Sequence, residues 1–211
     1  MNDKPRKIAV ITGDLVNSTE LGREKIERAF TALEYCAEMQ ADWHGAPLHF
    51  TRHRGDGWQV VLAKPEMALR SALAFRAALR AEGREYDSYI GIAEGEVEGL
   101  IGPDLNAETA EVFTDSGDAL AALKLELPQR IYFHTEDNTD AIAILADTIS
   151  QDWTPSQAAA VLLSLDPTGS PSQTALGKTM GKSRQAVAKS LEAAKFTSLY
   201  LAINTLERCK S

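Results

Sequence analysis

Pro47-Leu48-His49-Phe50-Thr51-Arg52-His53-Arg54-Gly55-Asp56-Gly57-Trp58-Gln59-Val60-Val61-Leu62-Ala63 reads as two strands, residues 47–53 and 58–63, closed by the turn Arg54-Gly55-Asp56-Gly57. Glycine and aspartate at the tip tolerate the backbone of a tight hairpin, and β-branched and aromatic residues flank them. Upstream, Ile26, Phe30, Leu33 and Ala37 recur at helical spacing within residues 21–40, and Asn17-Ser18-Thr19 supplies capping side chains before them. Further upstream, residues 7–12 (Lys-Ile-Ala-Val-Ile-Thr) form an apolar β-branched run ending at Gly13-Asp14, which suits a buried strand. Downstream, Pro65 opens a second helix with Ala68, Leu69, Ala72, Phe75 and Leu79 on one face, and residues 89–93 form the next strand. The hairpin therefore sits at the centre of a βαββαβ order. That order predicts an α+β, ferredoxin-like antiparallel sheet with helices on one face. A helix over 110–127, a strand over 131–134 and a helix over 137–149 follow.

The 211 residues carry a net charge of -8, with 44% hydrophobic and 25% charged residues, an ordinary soluble composition. The charge is uneven. Residues 150–211 hold seven Lys and Arg against four Asp and Glu, whereas residues 1–149 hold fifteen against twenty-six. Two parts with different partners are expected, divided as 1–149 and 150–211. The N-terminus has no apolar core of a signal peptide and no apolar run is long enough to span a bilayer, so the expectation is a cytoplasmic protein without a membrane partner. Cys36 and Cys209 make neither metal spacing nor a disulfide framework.

In the C-terminal part, Thr154-Pro155 opens a helix whose apolar face is Ala158, Val161, Leu162 and Leu165. After the Pro- and Ser-rich loop 166–172 comes Gln173-Thr174-Ala175-Leu176-Gly177-Lys178-Thr179-Met180-Gly181-Lys182-Ser183-Arg184-Gln185-Ala186-Val187-Ala188-Lys189-Ser190-Leu191. Leu176, Met180, Val187 and Leu191 suit the buried set of two short helices meeting sharply. Gly177 is small where they approach, Gly181 supplies a left-handed turn, and Ser183 caps the second helix. The spacing resembles the helix-turn-helix of many bacterial repressors and sigma-factor-like modules. DNA is the expected partner, through Thr174, Lys178, Lys182, Ser183, Arg184, Gln185 and Lys189. Lys182 departs from the pattern, standing where an apolar residue is usual. A helical hairpin without a ligand is the plainer interpretation, and the gathering of basic residues in an acidic chain weighs against it. Residues 199–206 then form a closing or dimer-forming helix.

Two aspartates stand at the ends of neighbouring central strands: Asp14 in Gly13-Asp14-Leu15-Val16-Asn17-Ser18, and Asp56 at the hairpin tip. Taken singly, an aspartate after glycine is usually turn chemistry. Taken together, two carboxylates and the Leu15 carbonyl form a hard-oxygen set for Mg²⁺ or Mn²⁺, completed by a phosphate-bearing ligand. Two apparent motifs carry less. Residues 172–179 look like the end of a P-loop but lack its first glycine and a leading strand. His49 and His53 lack a third zinc ligand.

The phrase Asp14-Leu15-Val16-Asn17-Ser18-Thr19 resembles the first metal-binding phrase of class III nucleotidyl cyclases, with Gly55-Asp56 at the second aspartate position. Gly91-Ile92-Ala93-Glu94-Gly95-Glu96-Val97-Glu98-Gly99 resembles the glycine-spaced strand that follows. The resemblance implies metal ligands at Asp14, Leu15 and Asp56, nucleotide contacts at Gly13, Val16, Asn17, Ser18 and Gly55, and a contact from Arg52 to the base. The family's orienting Asn and phosphate-stabilising Arg have no counterpart, since Thr114, Asp115, Asp118 or Ala121 occupy the corresponding helix, which leaves Lys124 or an arginine from a partner chain as the substitute cation and no cyclic product as the expectation. The whole chain is also similar to the SatD-like bacterial family, through Gly13-Asp14, Gly55-Asp56-Gly57-Trp58-Gln59, Ser116-Gly117-Asp118-Ala119-Leu120 and the C-terminal helix-turn-helix. The SatD-like resemblance implies a nucleotidyl cyclase-like domain followed by a small all-α domain, and a homodimer is expected because repressors and cyclases are both usually dimeric. The leading expectation is a DNA-binding regulator that senses a metal–nucleotide ligand. Its rivals are a nucleotide-cyclising or nucleotide-joining enzyme and a protein-interaction module with relic sites.

Overall fold

The structure, a computed structural model, describes residues 4–53, 55–125, 127–135 and 139–210. Arg54 of the hairpin turn, Glu126, and the first two residues of the helix expected from 137 lie outside them. The strands are β1 (Arg6–Leu15), β2 (Thr51–Arg52), β3 (Gly57–Leu62), β4 (Ser88–Val97) and β5 (Ile131–His134). They form one sheet in the order β2-β3-β1-β4-β5. β1 runs antiparallel to β3 and β4, β2 antiparallel to β3, and β5 parallel to β4. The first four strands therefore have the order of a split βαββαβ core, with β5 added at one edge.

The helices are α1 (Ser18–Leu21), α2 (Arg23–His44), α3 (Ala68–Glu82), α4 (Glu111–Leu125), α5 (Thr139–Gln151), α6 (Pro155–Ser164), α7 (Gln173–Met180), α8 (Arg184–Ala193) and α9 (Phe196–Lys210). The expectation that all helices of the larger part lie on one face is corrected. α2 and α3 cover the face carrying Ala9, Ile11, Trp58, Val60, Ile90 and Ile92. α4 covers the opposite face, where Ile8, Val10, Val61, Ala93 and Val97 gather with its own Val112 and Phe113. The cause lies in the sequence of β1, whose apolar run has no polar face and must be buried on both sides.

The first hairpin strand is shorter than the sequence suggests. His49 sits at φ 50, a left-handed conformation that breaks the ladder before Thr51. Leu48 nevertheless accepts a hydrogen bond from the Val61 amide at 2.9 Å. The expected long helix over 21–40 is interrupted at Gly22, φ 76, and continues beyond its expected end to His44.

Position 149, expected to end the first part, falls inside α5. One apolar cluster runs across it, joining Leu69, Leu73 and Phe75 of α3 to Ala158, Val161, Phe196, Leu199 and Ile203 of the C-terminal helices. Polar groups reinforce this joint. The Arg70 guanidinium on α3 donates to both Glu207 carboxylate oxygens, to Asn204 of α9, and to the Leu165 carbonyl at 2.8 Å. α3 is thus enclosed on nearly every side, which its apolar stripe alone did not announce. Its Arg76 side chain is 0% exposed and pairs with Asp147 of α5 and Asp87, and Arg80 also reaches Asp87.

α7 and α8 meet across a short turn. A Cβ on Gly177 would stand 2.7 Å from the Lys182 carbonyl oxygen, so only glycine permits the approach. Gly181 takes φ 63, and the Ser183 hydroxyl accepts the Ala186 amide at 3.2 Å. Leu176 and Val187 are buried as expected, while Met180 and Leu191 are only half-buried. Among the described residues no helix is long and apolar enough to cross a membrane.

Candidate functional site

β1 ends at Leu15 beside the hairpin between β2 and β3. Asp14 pairs in register with Gly57, and the Leu15 amide donates to the Asp56 carbonyl at 3.2 Å. This pairing brings the two aspartates together. Alternation along β1 sends Thr12 and Asp14 toward α4, because Gly13 and Leu15 face the other layer. The Asp14 and Asp56 carboxyls lie close enough for each charge to act on the other. Burial raises the Asp14 pKa, and the Asp56 charge adds to the rise, while Lys124 pulls against it. The Lys124 ammonium sits 2.6 Å from Asp14 Oδ2. Ser18, in the first turn of α1, donates its hydroxyl to Asp56 Oδ2.

α4 is held over the site by packing and by hydrogen bonds. A Cβ on Gly91 would stand 2.5 Å from the Ser116 carbonyl oxygen and 3.0 Å from the Ala119 carbonyl carbon, and it would overlap the Leu120 nitrogen. Gly95 meets Val112 in the same way, at 2.8 Å. The glycine spacing of β4 therefore lets a helix backbone lie directly on the strand. The Thr12 and Ser116 hydroxyls are 2.7 Å apart, and Gln59 donates to Thr12 at 2.8 Å. Ser116 serves this buried network, and Lys124, about two turns further along, reaches Asp14.

The other expected contacts divide. Val16 and Asn17 line a cavity of about 270 Å³ beside α1, bordered by Lys25, Arg84, Asp87 and Arg130. Asn17 adopts φ 52, Gly55 takes φ 85, and the Val16 amide donates to the Asp87 carbonyl at 3.0 Å. Gly13 has a packing role, since a Cβ there would overlap the Trp58 ring. Arg52 pairs in register with Trp58, which places it on the opposite sheet face from the Asp14 carboxyl. There it lies 3.7 Å from the Phe30 ring centroid and bonds both carboxylate oxygens of Glu27. The structure does not bring Arg52 to the aspartates. His53, from the α4-facing side, pairs with Asn106 at 2.5 Å, and a Cβ on Gly57 would lie 3.3 Å from His53 Cβ and 4.0 Å from Asp14 Oδ1.

Among the described residues no group of three or more His, Cys, Asp or Glu gathers as a metal-ligand set. The donors that do meet are two carboxylates beside a hydroxyl. These hard oxygens fit Mg²⁺ or Mn²⁺ when water and phosphate complete the shell. Lys124 was legible as a substitute for the missing phosphate-stabilising arginine, but its pairing with Asp14 could not be read without the docking of α4.

In the C-terminal helices, Thr174, Lys178, Arg184, Gln185 and Lys189 are exposed. Lys182 is exposed but bonded, its ammonium donating to the Ser156 hydroxyl of α6 at 2.6 Å. This contact accounts for a lysine at a usually apolar position, because its stem reaches across to the neighbouring helix.

Fold and site together define an α+β protein with a split βαββαβ core and a paired-carboxylate turn at the end of its central strand. Among solved structures, the chain is similar to a bacterial light-regulated adenylyl cyclase in two structures. In the first, identity is 17% and TM-score 0.46, covering 63% of this chain and 44% of the other; in the second, 18% and 0.45, covering 62% and 76%. It is also similar to the guanylyl cyclase Cya2, at 20% identity and TM-score 0.43, covering 68% of this chain and 81% of that one. This chain thus spans under half the length of the first of these structures. No family model and no curated protein matches, so the SatD-like resemblance stands on its quoted motifs alone.

Proposed function

We propose that the chain binds a divalent cation with a nucleoside triphosphate at Asp14 and Asp56, as a nucleotidyl cyclase-type site. The observation that supports this reading is the meeting of two carboxylates with a single lysine at the exit of β1. Asp14 and Asp56 would hold Mg²⁺ or Mn²⁺. Ser18 orients Asp56, and the turn through Leu15, Val16 and Asn17 borders the nucleotide. The cation would neutralise charge on the phosphates and polarise them. Lys124 stands on α4, the helix that lacks the expected Asn and Arg, and it is the cation the sequence offers as their substitute; its place beside Asp14 favours the enzyme over a relic site.

The test is a thermal-shift titration with ATP and GTP plus Mn²⁺. Saturation at about a hundred times Kd should stabilise the protein by about 2.7 kcal/mol, or roughly 5 to 10 °C for a chain of this size. Asp56→Asn should abolish the nucleotide-dependent rise while leaving the free protein no less stable, because one of two repelling carboxylates has lost its charge. Separation of products from labelled ATP and GTP then tests turnover. A wild-type melting temperature unmoved by any nucleotide with Mn²⁺ would sink the reading.

A second reading, DNA binding through α8, is favoured by one observation. α8 buries only Val187 and leaves Arg184, Gln185 and Lys189 exposed on a positively charged C-terminal part. Arg184 and Gln185 start the helix, where side chains reach base edges, and Lys189 follows one turn on. In the full chain, Arg184→Ala and Lys189→Ala should each weaken binding to genomic DNA fragments and leave the melting temperature nearly unchanged, and Lys189→Ala should also flatten the salt dependence. The loss of one phosphate contact should lower the slope by about one. No retention of DNA by the full chain at low salt would end this reading.

A further inference from the structure

We propose that Lys124 takes the place of the divalent cation in the free protein and becomes an anchor for the nucleotide's phosphates once that cation enters. The inference rests on the reading of Asp14 and Asp56 as a cation–nucleotide site.

The charges and the geometry carry it. The Lys124 ammonium lies 2.6 Å from Asp14 Oδ2, and that carboxylate is 15% exposed. Asp56 is bonded by the Ser18 hydroxyl, which brings no charge. Among the described residues, two carboxylates are therefore balanced by one ammonium, and the pair is under-compensated. A divalent cation on the same oxygens removes the attraction that holds Lys124 and replaces it with repulsion. The ammonium must then leave Asp14. The backbone of α4 cannot follow, since Gly91 and the Thr12–Ser116 bond fix it to the sheet.

Only the flexible lysine stem moves, and its 45% exposure leaves it room. With cation and lysine both present, the site carries one net positive charge. A polyanion is the ligand that such a site accepts, and the freed ammonium is a charged donor beside it. Lys124 thus opposes entry of the cation alone and favours entry of the cation with phosphates. It couples the two ligands, and any coupling in binding is reciprocal.

The test uses the full chain with Lys124→Met and Lys124→Arg, titrated by Mn²⁺ alone and by ATP or GTP at saturating Mn²⁺, with melting temperature as readout. In Lys124→Met, Mn²⁺ alone should bind about fivefold more tightly, because a competing ion pair is gone. The nucleotide should bind about tenfold more weakly, because a charge-assisted bond is gone. Lys124→Arg should keep the wild-type order of both. A lysine with a merely structural role would not move the two affinities in opposite directions. If wild type binds Mn²⁺ and nucleotide but Lys124→Met leaves Mn²⁺ affinity unchanged or weaker, the inference is overturned while the site stands. If wild type binds neither, the reading of the site fails and takes the inference with it.

Discussion

Arg76→Met is expected to lower the free energy of unfolding by about 3–5 kcal/mol, the scale for removing one partner of a buried ion pair. Arg76 lies inside the molecule and donates to Asp147 and to the Ser150 hydroxyl at 2.8 Å, and its Nε is 3.3 Å from Asp87 Oδ1. Its loss leaves a fully buried Asp147 carboxylate with, among the described residues, the Arg130 amide and Gln151 as donors. Urea titration should show the loss as a lower midpoint at unchanged slope. The double change Arg76→Met with Asp147→Asn should recover part of it, since the stranded charge is then gone. A single substitution costing under about 1 kcal/mol would show that water or a rearranged Arg130 replaces the guanidinium.

The same network has a pH signature. Burial alone would raise the Asp87 pKa, but Arg76, Arg80 and Arg130 together bring it below the ordinary carboxylate value. Such a group stabilises the fold above its unfolded pKa and loses that contribution as pH falls through the folded one. With Arg76 absent, that acid loss should begin at higher pH.

Gly91→Ala is expected to destabilise by about 2–4 kcal/mol and to abolish the nucleotide-dependent thermal shift, an overpacking cost at the upper end because the obstacle is backbone. Alanine in a strand is ordinarily no worse than glycine, so the sign itself is diagnostic. The new methyl group meets the Ser116 carbonyl, the Leu120 nitrogen and the Ala119 carbonyl carbon. α4 must lift, and lifting it parts Thr12 from Ser116 and Lys124 from Asp14. Gly117→Ala, on the same helix with nothing within 4 Å of its Cβ, should instead stabilise by about 0.5–1 kcal/mol. Equal stability of Gly91→Ala and wild type would refute the close docking of α4.

Much of this was legible in the chain. The apolar runs of β1 and β3, the helical spacings, and the Gly-Asp turns predict a split βαββαβ core, because periodicity and turn chemistry are local properties. The pairing of Asp14 with Asp56 also followed, since adjacent central strands bring their ends together. What stayed hidden depends on tertiary packing. The apolar run of β1 does not say which helix covers its second face, so α4 was misplaced, and Lys124 was legible as a substitute cation but not as the partner of Asp14. Arg52 lies at the spacing the resemblance requires, yet a two-residue strand turns it toward Phe30 and Glu27. Nothing in the helical spacing marks Arg70, Arg76 and Arg80 as internal, and only the packing of α5, α6 and α9 around α3 makes them so.

The apolar cluster that runs from α3 into α6 and α9 has a consequence for how this protein can be taken apart. Residues 150–211 are expected to fail as a portable cassette. Cut free, they would expose Ala158, Val161, Leu199 and Ile203 and leave Glu207 without Arg70, while the remainder would open the flank of α3 to water. Grafting these helices onto another protein should therefore fail unless the surface of α3 travels with them, and a chimaera that respects the fold must be joined elsewhere.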